Sequence, residues 1–399
     1  MLARLRLLPT AVSAVLAVAL VVALPASAAS AYSPSDGPTF NNPKGNEAAK
    51  FRLLRRVERT IASTPRGHTI RIATYLMDRK ITADRLIKAH RRGVNVKIVM
   101  DDGIKSAPSR RLRRVLGTNI NHRSYARFCR NSCRGTRGQM HSKIYMFSRA
   151  GGVNDVVMVS SANLNNGGAR LGWNDLFTMT RKKRLYDKYL SIHQQMAKDR
   201  PVQPPGKRYQ VSRVGRFESH FFPKPGVTRA SDPVYRAMSR IHCRGVRGGA
   251  GRHGRTAVNV SMFWWSGDRG MYLARRLLAL QREGCRISVT YGAPSNKVAA
   301  VLRRAAWRGK IALYDSRQHR NNDGIVDLRV HTKYMLVNGH YATDHSAWKI
   351  FTGTANWSTG SLTGGDEVML RVNSRPGYRR YINHYDFVRN RGARKIGRG

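Results

Sequence analysis

Two stretches of the sequence hold residues whose types and spacing suit nucleophilic and acid–base chemistry. Each stretch has a histidine and a lysine two positions apart, then an asparagine, then a carboxylate. These candidate catalytic residues are His141, Lys143, Asn163 and Asp175 in the first half and His331, Lys333, Asn356 and Glu367 in the second half. The two sets lie 190 positions apart at the histidines, 193 at the asparagines and 192 at the carboxylates. The spacing indicates a repeat.

The chemistry that these residue types suit is phosphoryl transfer. A histidine and a lysine two positions apart on a strand point to the same side, because side chains alternate along a strand. The lysine can then hold an anionic oxygen, the asparagine can donate to another, and the carboxylate can fix the imidazole tautomer. Two such sets around one tetrahedral anion would let one histidine attack phosphorus while the other protonates the leaving oxygen.

The elements that must position these residues repeat as well. In each half the pattern predicts a strand, a basic amphipathic helix that ends at a glycine (Gly93 or Gly284), and a second strand. The predicted segments are 70–77, 85–92 and 94–100 in the first half and 258–265, 272–283 and 285–291 in the second. Strand, helix and strand with short connections indicate parallel pairing, and therefore an α/β lobe in each half.

Residues 198–226 are rich in proline and glycine and lack clear periodicity, so we expect them to link the two lobes. The predicted lobes are residues 40–197 and 227–390. Residues 1–28 are typical of a secretory signal, with a basic start, an apolar stretch over 10–24 and a small-residue cleavage pattern. The alternative is a membrane anchor, for which the apolar run is short. We therefore expect a secreted, extracellular protein.

Cysteine usage agrees with export. The four cysteines allow three pairings, between which the sequence cannot choose. We favour Cys129–Cys133 and Cys243–Cys285, because each pair then stays within one half of the chain. The alternative is a zinc site, but a single C-x3-C pair is poor metal spacing.

The amino-acid composition restricts the classes of binding partner. The 399 residues include 73 Lys and Arg against 22 Asp and Glu, a formal net charge of +51, and 41% are hydrophobic. The apolar content argues against bulk disorder. The charge argues against a generic enzyme for small neutral substrates and favours a polyanionic partner such as nucleic acid or an anionic membrane.

The paired residues resemble the H-x-K…[GS]-[GST]-x-N signatures of the phospholipase D superfamily, over roughly residues 45–390. The resemblance implies two α/β/α sandwich lobes packed as a pseudo-dimer, an active site between them, no required cofactor or metal, and a covalent phosphohistidine intermediate. Carried over by position, the roles would be nucleophile for His141, general acid for His331, phosphate contacts for Lys143, Lys333, Asn163 and Asn356, and histidine orientation for Asp175 and Glu367.

The sequence departs from the family pattern at one position of each motif. The family usually has Asp five residues after the lysine, where this chain has Ser148 and Asn338. The extra residues between histidine and asparagine are expected in hairpin loops, and an aspartate from those loops, Asp155 or Asp344, is a candidate replacement.

Three functions are compatible with these features. The first is a secreted, monomeric phospholipase D that cleaves the head group of phospholipids at a membrane or vesicle surface. The second is a secreted nuclease, favoured by the charge. The third is a polyanion-binding relative whose site has decayed. Aromatic residues 263–265 and Trp357 are candidate lipid contacts, and their alternative role is ordinary strand core.

Overall fold

The computed structural model describes residues 32–319 and 326–397. The predicted signal peptide lies outside the described residues. Within these ranges the chain forms two large β-sheets with helices packed against them, which confirms the predicted α/β class and two-lobed arrangement. No helix in the described part of the chain is long and apolar enough to cross a membrane.

The first lobe is built on a seven-stranded sheet. Its strands, together with a short strand β7 outside the sheet, are β1 (Gly37–Phe40), β2 (Thr69–Thr74), β3 (Asn95–Asp101), β4 (Tyr125–Cys129), β5 (Lys143–Ala150), β6 (Val153–Ser160), β7 (Gly172–Trp173) and β8 (Asp175–Met179). Its helices are α1 (Glu47–Lys50), α2 (Arg52–Ala62), α3 (Lys80–Arg91), α4 (Ala107–Leu116), α5 (Asn166–Leu171) and α6 (Lys183–Lys198). The order is β1-β8-β6-β5-β2-β3-β4, in which β2, β3 and β4 are parallel and the other pairs antiparallel.

The second lobe repeats this plan on a ten-stranded sheet, after a 3-10 turn at Pro205–Arg208. The strands, with β15 outside the sheet, are β9 (Gln210–Val214), β10 (Phe217–Phe221), β11 (Ile241–His242), β12 (Ala257–Trp265), β13 (Arg286–Pro294), β14 (Ala312–Asp315), β15 (Arg329–Val330), β16 (Lys333–Tyr341), β17 (Asp344–Gly353), β18 (Val368–Asn373) and β19 (Arg394–Ile396). The helices are α7 (Pro233–Ser239), α8 (Gly267–Arg282), α9 (Asn296–Trp307), α10 (Thr359–Thr363) and α11 (Arg375–Arg391). The order is β19-β14-β13-β12-β16-β17-β18-β10-β9, with β11 also paired to β16.

The predicted strand–helix–strand repeat is present in both lobes. It corresponds to β2-α3-β3 in the first and β12-α8-β13 in the second, and both strand pairs are parallel. Gly93 and Gly284 follow the helices with φ of 90° and 100°, a region that side chains with a Cβ rarely adopt. The chain can therefore reverse sharply into the next strand at both places.

The two lobes share a hydrophobic core to which both motif strands contribute. Ile144 and Met146 of β5 pack in the same buried cluster as Tyr334 and Leu336 of β16. Full burial of a large apolar side chain contributes about 1.5–3 kcal/mol. The shared cluster therefore holds the two motif strands firmly against each other.

Part of the predicted linker folds as a β-hairpin. Strands β9 and β10 extend the second sheet beside β18, although the sequence of these residues shows no clear strand periodicity. All five residues of β10 are buried, including Glu218 and His220, whose side chains pair at 2.8 Å. Buried polar residues within the strand removed the alternation on which a sequence-based prediction depends.

The extra residues between histidine and asparagine lengthen strands instead of loops, because β5–β6 and β16–β17 turn through only two residues each. At the two positions where aspartate is expected, Ser148 Oγ accepts from the N–H of Thr69 at 2.9 Å, and Asn338 Oδ1 accepts from that of Gly251 at 2.8 Å. Asp344 pairs with Lys349 instead. Neutral acceptors therefore serve the backbone at both positions.

Both favoured disulfides, Cys129–Cys133 and Cys243–Cys285, are present. The zinc interpretation is wrong, because every cysteine is consumed in a disulfide and offers no thiolate.

Candidate active site

Both histidine–lysine pairs lie where a central strand begins. Lys143 opens β5 and pairs with Thr74 at the end of β2, while Lys333 opens β16 and pairs with Met262 near the end of β12. Because β5 and β16 run antiparallel to β2 and β12, the two motifs occupy the same edge of their respective sheets.

Main-chain hydrogen bonds fasten each motif to the opposite lobe. The N–H of His331 donates to the carbonyl of Trp173 at 2.8 Å, directly after the parallel pairing of β15 with β7. The N–H of His141 donates to the carbonyl of Asp366 at 3.1 Å. The two motifs therefore meet at the interface between the lobes.

His141 has a carboxylate partner from the other lobe. Its Nδ1 lies 2.9 Å from Oε1 of Glu367, whose side chain is almost fully buried. The other oxygen of Glu367 accepts from the hydroxyl of Thr354 at 2.5 Å. The carboxylate thus fixes Nδ1 as the protonated nitrogen and leaves Nε2 with its lone pair.

His331 has an amide partner. Its Nδ1 lies 2.9 Å from Oδ1 of Asn174, and Nδ2 of the same amide donates to the carbonyls of Gly168 and Gly172. These two bonds orient the amide, because only Nδ2 can donate to carbonyls. Its oxygen must therefore face His331, whose Nδ1 carries the proton.

The predicted orienting role of Asp175 was wrong. Its carboxylate accepts from the hydroxyl of Tyr381 at 2.7 Å and from that of Thr352. Asp175 therefore links the first lobe to the second by hydrogen bonds. Burial raises the pKa of Asp175. The sequence held the correct signal: Asn174 and Glu367 are 193 positions apart, the same offset as the asparagines, whereas Asp175 and Glu367 are 192 apart.

The two lysines are buried and curl back onto their own motifs. Lys143 Nζ donates to the carbonyl of His141 at 2.6 Å, and Lys333 makes the equivalent bond to His331. Burial lowers the pKa of Lys143 to about 7 and holds that of Lys333 well below its usual range. The charge of Lys143 further lowers the pKa of Lys333. Two like charges in one buried site favour an anion between them.

Burial also lowers the pKa of both histidines. For His141 the carboxylate of Glu367 opposes this effect. For His331 the charges of Lys333, Lys143 and His141 all add to it, and its pKa lies well below the usual value. Residues of both motifs thus act on one imidazole, as expected of a single composite site.

Two aromatic residues that the motifs do not include complete the site. The ring of Tyr75 lies 5.0 Å from His141 and under Lys143, and that of Phe263 lies 4.6 Å from His331 and under Lys333. They are 188 positions apart, the offset of the first repeated strands, so the repeat could have revealed Tyr75.

The two asparagines lie at equivalent strand ends but differ in their contacts. Asn356 Oδ1 accepts from the N–H of Trp264 at 3.3 Å, which leaves its amide nitrogen as a donor. Asn163 Oδ1 is buried without a hydrogen-bond partner in the described part of the chain. A buried amide oxygen without a donor is costly, and this distinguishes Asn163 from Asn356.

Comparison with known proteins agrees with this geometry. Residues 57–197 match the family model for cardiolipin synthase, PLD-like domain. The fold is similar to the crystal structure of phosphatidylserine synthase from Haemophilus influenzae Rd KW20, with a TM-score of 0.58 at 11% identity over 90% of this chain and 89% of that one. Residues 57–197 thus match a phospholipase D-like domain, and the whole chain shares the two-lobed fold of that synthase.

A second structure of similar fold is polyphosphate kinase from Porphyromonas gingivalis, with a TM-score of 0.54 at 13% identity over 88% of this chain. This chain spans only 50% of the length of that kinase. No curated protein matches the sequence.

The tryptophans predicted as candidate lipid contacts differ in their exposure. Trp265 and Trp357 are buried and pack edge to face at 4.6 Å, so Trp357 is core and not a lipid contact. Trp264, between the site residue Phe263 and buried Trp265, is 46% exposed. Leu171 is 42% exposed and directly precedes Gly172, whose backbone lies close to His331.

Proposed function

We propose that the protein is a secreted phosphodiesterase of the phospholipase D type, which hydrolyses the head-group phosphodiester of glycerophospholipids to phosphatidate. The observation that carries the proposal is the meeting of two histidine–lysine pairs across the lobe interface, with Nδ1 of each imidazole bonded to the opposite lobe. A decayed site would have no reason to keep all these groups in register.

The unequal partners of the two histidines favour His141 as the nucleophile. Its Nδ1–H donates to Glu367, so Nε2 is free to attack phosphorus. The imidazole becomes positive as the N–P bond forms, and the adjacent carboxylate stabilises that charge.

His331 is better suited to be the general acid. The neutral amide of Asn174 orients the ring but stabilises an imidazolium less than a carboxylate would. A proton on Nε2 of His331 is therefore released readily to a leaving oxygen.

The reaction then has two steps. In the first, Nε2 of His141 bonds to phosphorus, the bond from phosphorus to the head-group oxygen breaks, and that oxygen takes the Nε2 proton of His331. In the second, Nε2 of His331 accepts a proton from water as the water oxygen bonds to phosphorus. The N–P bond breaks, phosphatidate leaves, and both histidines return to their starting states.

The lysines and asparagines would hold the phosphate through both steps. Lys143 and Lys333 lack a carboxylate in direct contact within the described residues, and burial depresses the pKa of both. A bound phosphate would supply the missing negative charge and return both groups to their charged forms, so binding and charge stabilisation are coupled.

Three observations support a lipid substrate and an extracellular location. The matching family model is named for cardiolipin synthase, and a structure of similar fold is a phosphatidylserine synthase. Exposed Trp264 and Leu171 adjoin Phe263 and Gly172, which lie close to His331, and an acyl chain could contact them there. Both disulfides agree with an oxidising compartment.

A nuclease is the second candidate, and the net charge of +51 favours it. One assay separates the two. Purified protein is offered phosphatidylcholine vesicles, plasmid DNA and RNA in parallel in EDTA, and radiolabelled substrate is used to trap phosphohistidine. We expect phosphatidate and an acid-labile adduct that His141→Ala abolishes. Turnover of nucleic acid alone would favour the nuclease, and no turnover with either would contradict both.

A further inference from the structure

A basic groove runs along the second lobe at the end of the sheet away from the catalytic residues. Its cationic side chains are Arg252, Arg255, Arg286, Lys310, Arg389 and Lys395. Lys333 at the start of β16 belongs to the catalytic site, and Asn338 on the same strand lines the groove. Five residues of antiparallel strand span about 17 Å, so the two sites are well separated.

One wall of the groove is a tight hairpin turn that carries two of its arginines. Residues Arg252 and Arg255 exchange main-chain hydrogen bonds at 2.8 and 3.1 Å, and the two residues between them, His253 and Gly254, both have positive φ. This is the turn geometry that matches the twist of a hairpin. The side-chain oxygen of Asn338 accepts from Gly251 at the base of the turn and fixes the turn to the sheet.

The groove carries uncompensated positive charge. Its one acidic side chain, Asp386, pairs with Arg389 at 2.9 Å. The other five cations form no ion pair with an acidic residue in residues 32–319 and 326–397. Such a concentration of like charge in a concave surface favours a polyanion that can enter it.

We propose that this groove binds a single-stranded nucleic acid. A linear, flexible chain can follow a concave wall, whereas a membrane surface cannot enter it. The groove also contains an aromatic side chain: Trp348 is partly exposed, and its ring is braced by Tyr378 at 5.2 Å and by the guanidinium of Arg375. Cations along a groove with an aromatic platform are the usual means of binding single strands without sequence preference.

The proposal goes beyond the phosphodiesterase activity, because no groove residue belongs to the catalytic machinery. Binding here would tether the enzyme to extracellular nucleic acid whatever the substrate of its active site. Failure of either proposal leaves the other standing.

The test measures binding of a fluorescent oligothymidylate over a range of salt concentrations. The groove variant changes Arg252, Arg286, Lys310 and Lys395 to Gln. The matched control changes four exposed cations of the first lobe, Lys88, Arg91, Arg114 and Arg184, to Gln, which removes the same charge. If each groove cation contacts one phosphate, the slope of log K against log salt should decrease by about 3 in the groove variant and by much less in the control.

Three further measurements complete the test. His141→Ala should bind the oligonucleotide as the unaltered protein does, and the groove variant should hydrolyse a small soluble phosphodiester at the normal rate. Trp348→Phe should abolish the quenching of tryptophan fluorescence that stacked bases cause. Equal losses in groove variant and control would overturn the proposal in favour of general charge. A loss confined to anionic vesicles would overturn it in favour of a lipid surface.

If the fourfold variant does not fold, the single exposed changes Arg286→Glu and Lys310→Glu provide the same comparison against Arg91→Glu. Each should weaken oligonucleotide binding more than Arg91→Glu does, and equal effects would overturn the proposal.

Discussion

The carboxylate of Glu367 lies 2.9 Å from Nδ1 of His141, although the two residues belong to different lobes. The equivalent partner of the second histidine, His331, is the amide of Asn174. Two sites that look the same in sequence are thus electrostatically different. The asymmetry divides nucleophile from acid and can be tested at each position.

Removing the charge at Glu367 should impair the nucleophile. Glu367→Gln keeps the size of the side chain but can present an amide to Nδ1 and cannot stabilise a positive imidazole. Replacing the carboxylate partner of a catalytic histidine by an amide reduces kcat by up to about 10⁴-fold in a triad enzyme, and we expect a loss of about 10²–10⁴ here. Single-turnover kinetics measure it. A loss below tenfold would contradict the role of the carboxylate.

Adding a charge at Asn174 should affect the acid instead. Asn174→Asp places a carboxylate beside Nδ1 of His331, which stabilises the imidazolium and raises the pKa of that histidine from its depressed value. The protonated acid then persists to higher pH. The basic limb of the kcat/KM profile should move to higher pH in Asn174→Asp. Glu367→Gln should not move it to higher pH. An unchanged profile would remove His331 from the general-acid role.

The two histidines should also differ in their response to the leaving group. His141→Ala and His331→Ala should each reduce lipid turnover by orders of magnitude. With a p-nitrophenyl phosphodiester, whose leaving group needs no proton, His331→Ala should still release one equivalent of nitrophenol and accumulate phosphohistidine. His141→Ala should release none. Rapid-quench measurement of the burst distinguishes them, and the reverse pattern would exchange the two roles.

Asp366 predicts a dependence of stability on pH. Its buried side chain accepts from Ser132 and from the N–H of Cys133, and burial raises its pKa to about 7. The folded state therefore holds a proton between about pH 4 and 7 that the unfolded state has lost, so stability falls as pH rises through that window. Asp366→Asn cannot ionise. The melting temperature of Asp366→Asn minus that of the unaltered protein should increase from about pH 4 to about pH 7 and stay constant above about pH 7. A constant difference would place the pKa elsewhere.

The two disulfides should separate stability from activity. The loop closed by Cys129–Cys133 spans four positions and that of Cys243–Cys285 spans 42. Chain entropy then assigns about 2 kcal/mol of stability to the first and about 4 kcal/mol to the second. The short loop, however, docks onto Asp366, next to Glu367. Replacing Cys129 and Cys133 by Ser should thus reduce kcat more and the free energy of unfolding less than the equivalent change at Cys243 and Cys285.

The sequence predicted what is local and repeated, and it missed what depends on contact between the lobes. The strands and helices of the repeat followed from periodicity and from Gly93 and Gly284. The partner of His331 did not, because Asn174 and Asp175 both contact the second lobe but reach different residues of it, and only the cross-lobe register decides which of the two meets His331. Strand β10 was missed because its polar residues are neutralised by partners far away in sequence, such as Arg371.

Salt should separate attraction by the surface from chemistry at the site. With a net charge of +51, association with anionic vesicles or nucleic acid is expected to weaken by orders of magnitude between low and physiological ionic strength, because counterions are released on binding. The catalytic lysines are buried and screened much less. Turnover of a short-chain soluble phosphodiester should therefore change little over the same range, with the same enzyme and pH. If salt reduces turnover of the small substrate as strongly as it reduces association with the vesicle or polymer, the charges of the basic surface must contribute to the electrostatic field at the active site.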